Sequence, residues 1–209
     1  TEITDVFGSD AYRIYFLSAL AFGHDGSFSW EDLAARYQAE LANGFGNLAS
    51  RTIAMIQKYF DGVIPAASDY TEGDLAIQTI VADAAANADA AIERFRIDEA
   101  IASIWTIVEA LNGYITENEP WALAKDEANR ARLGTVLYTA AEGLRALAVL
   151  LSPVMPQSTA KLWNALGAAD SLGALPEQPL REAGAWGVLV PGTTVQPLEP
   201  LFPRVEATA

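Results

Sequence analysis

The chain of 209 residues contains no cysteine and a single histidine, His24. Without cysteine there are no disulfides and no thiolate chemistry, and one histidine is too few for an ordinary zinc site. The sequence also has no glycine-rich phosphate loop and no uncharged apolar run of 18 or more residues, so we expect no membrane segment. His24 has no second catalytic group near it in the sequence, so an acid–base role for it is a weak hypothesis.

Positive charge is scarce. Lys and Arg number 13 against 27 Asp and Glu, which gives a net charge of −14. Binding to nucleic acid phosphates needs Lys and Arg, so this composition argues against a broad nucleic-acid surface. A small basic patch on an acidic body remains compatible with binding one RNA loop.

Apolar material is plentiful, with hydrophobic residues at 51%. Their spacing follows the helical period over most of the chain, which predicts an all-α fold, an antiparallel bundle of about five to six helices. Capping and breaking residues indicate the helix ends. The predicted helices cover about 9–20, 29–60, 71–94, 97–118, 127–151 and 157–166.

The second of these helices carries a polar edge. At 100° per residue, Asn47, Arg51 and Lys58 lie within roughly 40° of one another and about 90° or more from the centre of the apolar face. Glycines at 44 and 46 predict a kink just before this edge. The spacing alone favours an ordinary exposed amide and a salt-bridged surface arginine over an RNA contact.

Pro120 and Trp121 follow about seventy residues later. Proline ends one helix and suits the first position of the next, which predicts that Trp121 lies at an exposed helix start. Its indole then either folds over its own helix or offers a free face for stacking; the local sequence favours neither. Lys125 follows on the same short segment.

Beyond Gly167 the helical pattern disappears, and the tail contains six of the ten prolines. Residues 186–190 (WGVLV) are the one stretch there that suits a short strand. We expect an extended tail that packs on the bundle or on another domain.

Six blocks, in the same order, resemble bacterial methionyl-tRNA synthetases over about residues 1–167. The final segment 200–204 (PLFPR) also resembles the end of that family. The blocks are 10–13 (DAYR), 22–29 (FGHDGSFS), 46–51 (GNLASR), 58–62 (KYFDG), 120–125 (PWALAK) and 150–156 (LLSPVMP).

The resemblance implies a helical bundle that binds the tRNA anticodon. Asn47 and Arg51 match the family's anticodon-contacting Asn and Arg, and Pro120-Trp121 matches its Pro-Trp, whose tryptophan stacks on the first anticodon base, a cytosine. Lys58 and Lys125 are candidates for contacts to the RNA backbone. Recognition of unpaired loop bases by stacking and edge hydrogen bonds fits these residue types.

The family's HIGH and KMSKS signatures, which handle the nucleotide, are absent. The resemblance puts the KMSKS loop just before Thr1 and the family's zinc-binding insertion further upstream. We therefore expect the C-terminal part of a longer ATP-dependent, cytoplasmic enzyme, without catalytic residues, metal or cofactor of its own, and without a C-terminal OB-fold extension. ATP with Mg²⁺, and zinc, would belong to the upstream half.

The expected divisions are the end of a stem-contact linker (1–28), the anticodon-binding bundle (29–167) and the tail (168–209). The partners implied are methionine tRNA and the chain's own catalytic domain. Two alternatives stay open: the equivalent domain of the valine, leucine, isoleucine or cysteine enzyme, and a helical protein–protein interaction module, which the acidic charge favours. A helical-bundle metalloenzyme is a poorer fit, because no paired Glu-x-x-His motif is present.

Overall fold

A computed structural model of the chain describes residues 2–19 and 28–205. The all-α prediction is confirmed: 72% of the described residues are helical. Within the described ranges the only β-type pairing is an isolated bridge between Val63 and Thr194. His24 and most of the loop predicted around it lie outside the described residues.

Helix bounds follow the capping residues closely. The predicted helices at 71–94 and 97–118 are confirmed within a residue or two, and the capping box of Thr71 and Asp74 begins the first of them. The helices are α1 (Glu2–Phe7), α2 (Ser9–Ala19), α3 (Trp30–Arg36), α4 (Asn47–Tyr59), α5 (Glu72–Glu93), α6 (Ile97–Asn118), α7 (Pro120–Leu123), α8 (Arg130–Leu151), α9 (Pro156–Ala165) and α10 (Ala168–Leu172).

The predicted helix 29–60 is continuous from residue 30 to residue 59, but it is irregular at its predicted glycine positions. Tyr37–Gly46 is wound as a π-helix that joins α3 to α4. A Cβ at Gly46 would lie 2.9 Å from the Leu41 carbonyl oxygen and 3.4 Å from Phe202 Cδ2. A side chain at position 46 would therefore collide mainly with the carbonyl of the preceding π-helical turn, and it would also press on the tail at Phe202.

Helix α8 is the centre of the fold. Every residue from Leu133 to Leu151 is buried, because α4, α5, α6 and α9 surround the helix. A helix that is apolar all round belongs inside a core. Residues Glu127–Leu151 also have the length and mean hydropathy of a membrane span, but the most apolar 18-residue stretch within them is fully buried inside the chain.

The tail differs from its prediction in two ways. It contains the helix α10 and two short 3₁₀ turns, and residues 186–190 form no strand. The N–H groups of Val188 and Leu189 instead donate to the Glu142 carboxylate of α8, at 3.0 and 2.8 Å. Arg145 donates to the same carboxylate and to two tail carbonyls. The tail thus lies against the bundle, fastened to a buried ion pair.

Candidate nucleic-acid interface

Trp121 lies on a tight connection between α6 and α8. Glu119 has a left-handed backbone (φ 42°), which turns the chain sharply after α6, and Pro120 occupies the first position of α7. Pro120 is buried, whereas the indole of Trp121 keeps 37% of its surface exposed. Pro120 therefore fixes the turn, and the side chain available for contact is that of Trp121.

The polar edge begins where the π-helix gives way to α4. Asn47 is the first residue of α4 and is exposed, and Arg51 lies one turn later and is half-buried. Leu48 and Thr52, the next residues along the chain from each, are buried in the core. The amphipathic pattern of α4 therefore directs the amide and the guanidinium away from the core.

The two segments meet in space. The guanidinium carbon of Arg51 lies 5.4 Å from the centroid of the Trp121 ring. This distance is within the range of a cation–π interaction, which contributes about 0.5–1 kcal/mol at an exposed site. The α4 edge and the α7 indole consequently form one continuous surface with an aromatic ring, a fork of donors and, one turn away, an amide.

Two lysines extend this surface. Lys58 lies on the same side of α4 as Arg51, about 10 Å along the helix axis, and its ammonium is 5.2 Å from the Tyr59 ring. Lys125 is exposed just after α7. None of the ion pairs between described residues includes Arg51, Lys58 or Lys125, so their charge is not neutralised by a neighbouring carboxylate.

Arg130 is a further cation near this surface that the sequence reasoning did not select. Its guanidinium carbon lies 4.5 Å from the Phe60 ring centroid, and it donates to the Tyr59 carbonyl at 3.3 Å. A cation suits the C-terminal end of a helix, where carbonyl groups lack partners. The sequence shows that residue 130 is basic, but it does not show that this side chain packs against the C-terminal end of α4. Its charge is partly offset by Glu127, 3.7 Å away.

A buried carboxylate lies beneath the Trp121 connection. Asp74 is fully buried and accepts hydrogen bonds from Arg132, from Tyr114 and from Thr71. Burial raises the pKa of Asp74, but the bonds from Arg132, Tyr114 and Thr71 lower the pKa by more, so the carboxyl stays ionised. The network joins the start of α5 to the end of α6 and the start of α8.

No group of three or more His, Asp or Glu side chains placed to hold a metal ion occurs in residues 2–19 and 28–205. Two open grooves, one beside Phe60 and Arg130 and one between the N-terminal segment and the tail, are lined by both apolar and polar side chains. The interface is built for stacking, hydrogen bonding and charge, the three interactions by which proteins hold unpaired RNA bases.

Two protein-family models match the chain, and both describe parts of tRNA ligases. The family described as the anticodon-binding domain of tRNA ligase matches residues 74–190, more than half of the chain. The chain belongs to this family of anticodon-binding domains. A second family model, described as class I tRNA synthetases (M), matches residues 1–53. The two matched ranges include Asn47 and Arg51 in one and Trp121 in the other.

Individual relatives are methionine enzymes. The chain is 53% identical over 208 residues to a methionine–tRNA ligase of Streptomyces coelicolor, covering 98% of this chain and 39% of the relative. It is 41% identical to the one of Caldanaerobacter subterraneus, at 98% and 31% coverage. The apo methionyl-tRNA synthetase of Mycobacterium tuberculosis matches in structure with a TM-score of 0.86 at 31% identity, covering 98% of this chain and 40% of that one. The chain thus spans about two fifths or less of the length of these relatives.

Proposed function

We propose that this chain recognises the CAU anticodon loop of methionine tRNA, as the anticodon-binding part of a methionine–tRNA ligase. The observation that carries the proposal is the meeting of Trp121 with the Asn47–Arg51 edge, in a chain whose relatives are methionine–tRNA ligases. Neither segment alone distinguishes an RNA site from an ordinary helix surface.

Each side chain has a role that its chemistry suits. The exposed indole of Trp121 stacks on the first anticodon base, an interaction that contributes about 1–3 kcal/mol. The amide of Asn47 pairs with a base edge through a donor and an acceptor together. Arg51 offers a rigid fork of donors to a base or phosphate, and Lys58 and Lys125 neutralise the RNA backbone. Pro120 holds the indole in place.

The parent enzyme supplies the chemistry. ATP with Mg²⁺, and zinc, belong to an upstream catalytic half that activates methionine, while this chain selects the tRNA. Residues 29–167 form the anticodon-binding bundle, residues 1–28 end the linker that contacts the tRNA stem, and residues 168–209 form the tail, which contacts the bundle through Glu142 and Arg145. We place the enzyme in the cytoplasm with its tRNA substrate.

The test is a titration of the chain with an anticodon stem-loop bearing CAU and with a loop whose first base is changed. We expect salt-sensitive binding that prefers CAU and is weakened roughly 5- to 150-fold by Trp121→Ala, the loss of one stacked base. Trp30→Ala is the matched control, since Trp30 is 43% exposed but packs near Phe7 and Phe28 instead of Arg51.

The outcomes separate the alternatives. Preference for another anticodon would assign the chain to a different class I synthetase. Equal binding of both loops, or an unchanged affinity in Trp121→Ala, would contradict the anticodon assignment and favour a protein-interaction module. In the full-length ligase, Trp121→Ala is expected to slow tRNA charging while leaving ATP–pyrophosphate exchange nearly intact.

A further inference from the structure

The connection that carries Trp121, residues 119–129, is closed at its base by a single side chain. Arg132, in the first turn of α8, donates to the Asn118 side-chain oxygen at 2.6 Å. Asn118 is the last residue of α6, so the bond joins the two helix ends between which the connection runs. Trp121 lies three residues beyond Asn118, with only the turn at Glu119 and the rigid Pro120 between them.

Arg132 is itself held by a fixed point in the fold. It donates to both carboxylate oxygens of Asp74, at 2.5 and 3.0 Å. Asp74 is fully buried, is bonded by the Tyr114 hydroxyl and completes the capping box with Thr71. A guanidinium binds both oxygens of the carboxylate through two nitrogens in one plane and still has a donor for the amide oxygen, a geometry that the single ammonium nitrogen of lysine does not offer.

Asn118 is also fixed on its other side. Its Nδ2 donates to the Tyr114 carbonyl at 2.9 Å, which turns the Oδ1 atom toward Arg132. The amide therefore joins the α6 backbone to the buried ion pair. Among the described residues, the side-chain bond that links this network to the start of the connection is the one from Arg132 to the Asn118 oxygen.

We propose that Asn118 and Arg132 are positioning residues for Trp121, setting the height and tilt of the indole against Arg51 and hence its stacking on the first anticodon base. The effect on RNA binding rests on the proposed function. The placement of the ring does not depend on it. Neither residue contacts the RNA; both act through the connection that carries the tryptophan.

The first test needs no RNA. The emission of Trp121 is isolated as the difference between each variant and the same variant with Trp121→Phe, and its quenching by acrylamide is measured. We expect Asn118→Ala to shift this emission to the red and to raise the quenching constant, because the ring leaves its place on Arg51. Asn118→Asp keeps the acceptor for Arg132 but loses the bond to the Tyr114 carbonyl, so it is expected to change the signal less than Asn118→Ala does.

Gln178→Ala is the control for loss of a half-buried amide. Gln178 donates to the Leu172 and Ala174 carbonyls in the tail, so its removal tests general loosening of the fold. An unchanged Trp121 signal in Asn118→Ala, or an equal change in Gln178→Ala, would overturn the positioning role. Circular dichroism melting curves verify that each variant is folded.

The second test is a double-mutant cycle on binding of the CAU stem-loop. We expect Asn118→Ala to weaken binding about fivefold in the parent, the size of a typical coupling between linked residues. In the Trp121→Ala background the same change is expected to cost nothing further. A positioning residue gives this pattern, whereas a residue that merely stabilises the fold gives equal losses in both backgrounds, which would contradict the proposal.

Different results would contradict the anticodon assignment and the positioning role of Asn118. If Trp121→Ala binds CAU as well as the parent, the anticodon assignment fails, and the acrylamide measurement still decides whether Asn118 sets the ring. If Trp121→Ala loses binding but Asn118→Ala behaves identically in both backgrounds, the positioning inference alone is overturned.

Discussion

The guanidinium of Arg51 faces the ring of Trp121, with 5.4 Å between the guanidinium carbon and the ring centroid. The two residues are about seventy positions apart in the sequence and belong to α4 and α7. Their contact makes one surface out of two segments that have ordinary explanations on their own. It also means that the indole is already supported from the protein side before any ligand arrives.

The charge of Arg51 is open to a direct test. Arg51→Met removes the charge and the donors but keeps an apolar side chain of similar reach. We expect weaker binding of the CAU stem-loop and a salt dependence whose slope falls by about 1, as for loss of one phosphate contact. Arg51→Lys should retain the salt slope and lose discrimination between bases, since an ammonium lacks the fork. A salt slope and an affinity both unchanged in Arg51→Met would show that the side chain does not contact the RNA.

Asn47 is expected to affect binding without affecting stability. Asn47→Ala removes an exposed amide, so the free energy of unfolding should change by less than about 0.5 kcal/mol. Binding of CAU should weaken by about 0.5–1.5 kcal/mol through loss of hydrogen bonds to a base. Asn43→Ala is the matched control, because Asn43 is an exposed amide one turn earlier whose partner is Gln38. Equal effects of the two variants on RNA binding would remove Asn47 from the site.

The buried carboxylate predicts a pH-dependent contribution to stability. The folded-state pKa of Asp74 lies below its ordinary value of 3.8. A depressed pKa means that the stabilisation is present above about pH 4 and is lost as the pH falls through the folded-state value. Tyr114→Phe removes one of the bonds that lower this pKa, so it should cost about 1.5–3 kcal/mol near neutral pH and less in acid.

Tyr138→Phe is the control for that measurement. Tyr138 also loses a buried hydrogen bond, but its acceptor is the Leu189 backbone carbonyl, which does not titrate. Urea unfolding at about pH 6 and about pH 3 compares the two variants. If Tyr114→Phe lowers the free energy of unfolding equally at both pH values, the hydrogen bond from the Tyr114 hydroxyl does not stabilise the ionised form of Asp74.

A pair of helical glycines tests the packing of the tail on the π-helix. Gly46→Ala places a Cβ 2.9 Å from the Leu41 carbonyl and against Phe202, so we expect a loss of roughly 1–3 kcal/mol. At Gly113, within α6, a Cβ would meet nothing within 4 Å. Gly113→Ala should therefore gain about 0.5–1 kcal/mol from helix propensity. Thermal unfolding of both variants measures this, and a gain at both positions would contradict the close approach of the Leu41 carbonyl and Phe202 to position 46.

Local signals predicted much of this fold. The capping box at Thr71, the period of α5 and α6, and the proline before Trp121 all act within a few residues, so a single sequence contains them. The burial of α8 on every side was not predictable in the same way, because a one-sided stripe and a central helix differ only in what surrounds them. The same holds for Val188 and Leu189. Their backbone N–H groups bind the carboxylate of Glu142, which is more than forty residues away in the sequence.

In the candidate site, too, the position of each residue on its own helix was predictable and the distances between helices were not. Helical angles placed Asn47 and Arg51 on one edge, and Pro120 placed Trp121 at a helix start. Their distance depends on how α4 and α7 pack on α8, which no local pattern encodes. Arg130 and Arg132 were visible only as basic residues near a helix start; the ring of Phe60 and the carboxylate of Asp74 that define their roles come from distant parts of the chain.

Stacking of Trp121 on the first base of the anticodon can be tested by photochemical cross-linking. A CAU stem-loop with 5-iodocytidine at that base is bound to the chain and irradiated, and the cross-linked peptide is identified by mass spectrometry. We expect a cross-link to Trp121 that unlabelled CAU loop competes away and that Trp121→Ala abolishes. A cross-link to another aromatic residue, such as Trp30 or Trp186, with none at Trp121, would contradict it.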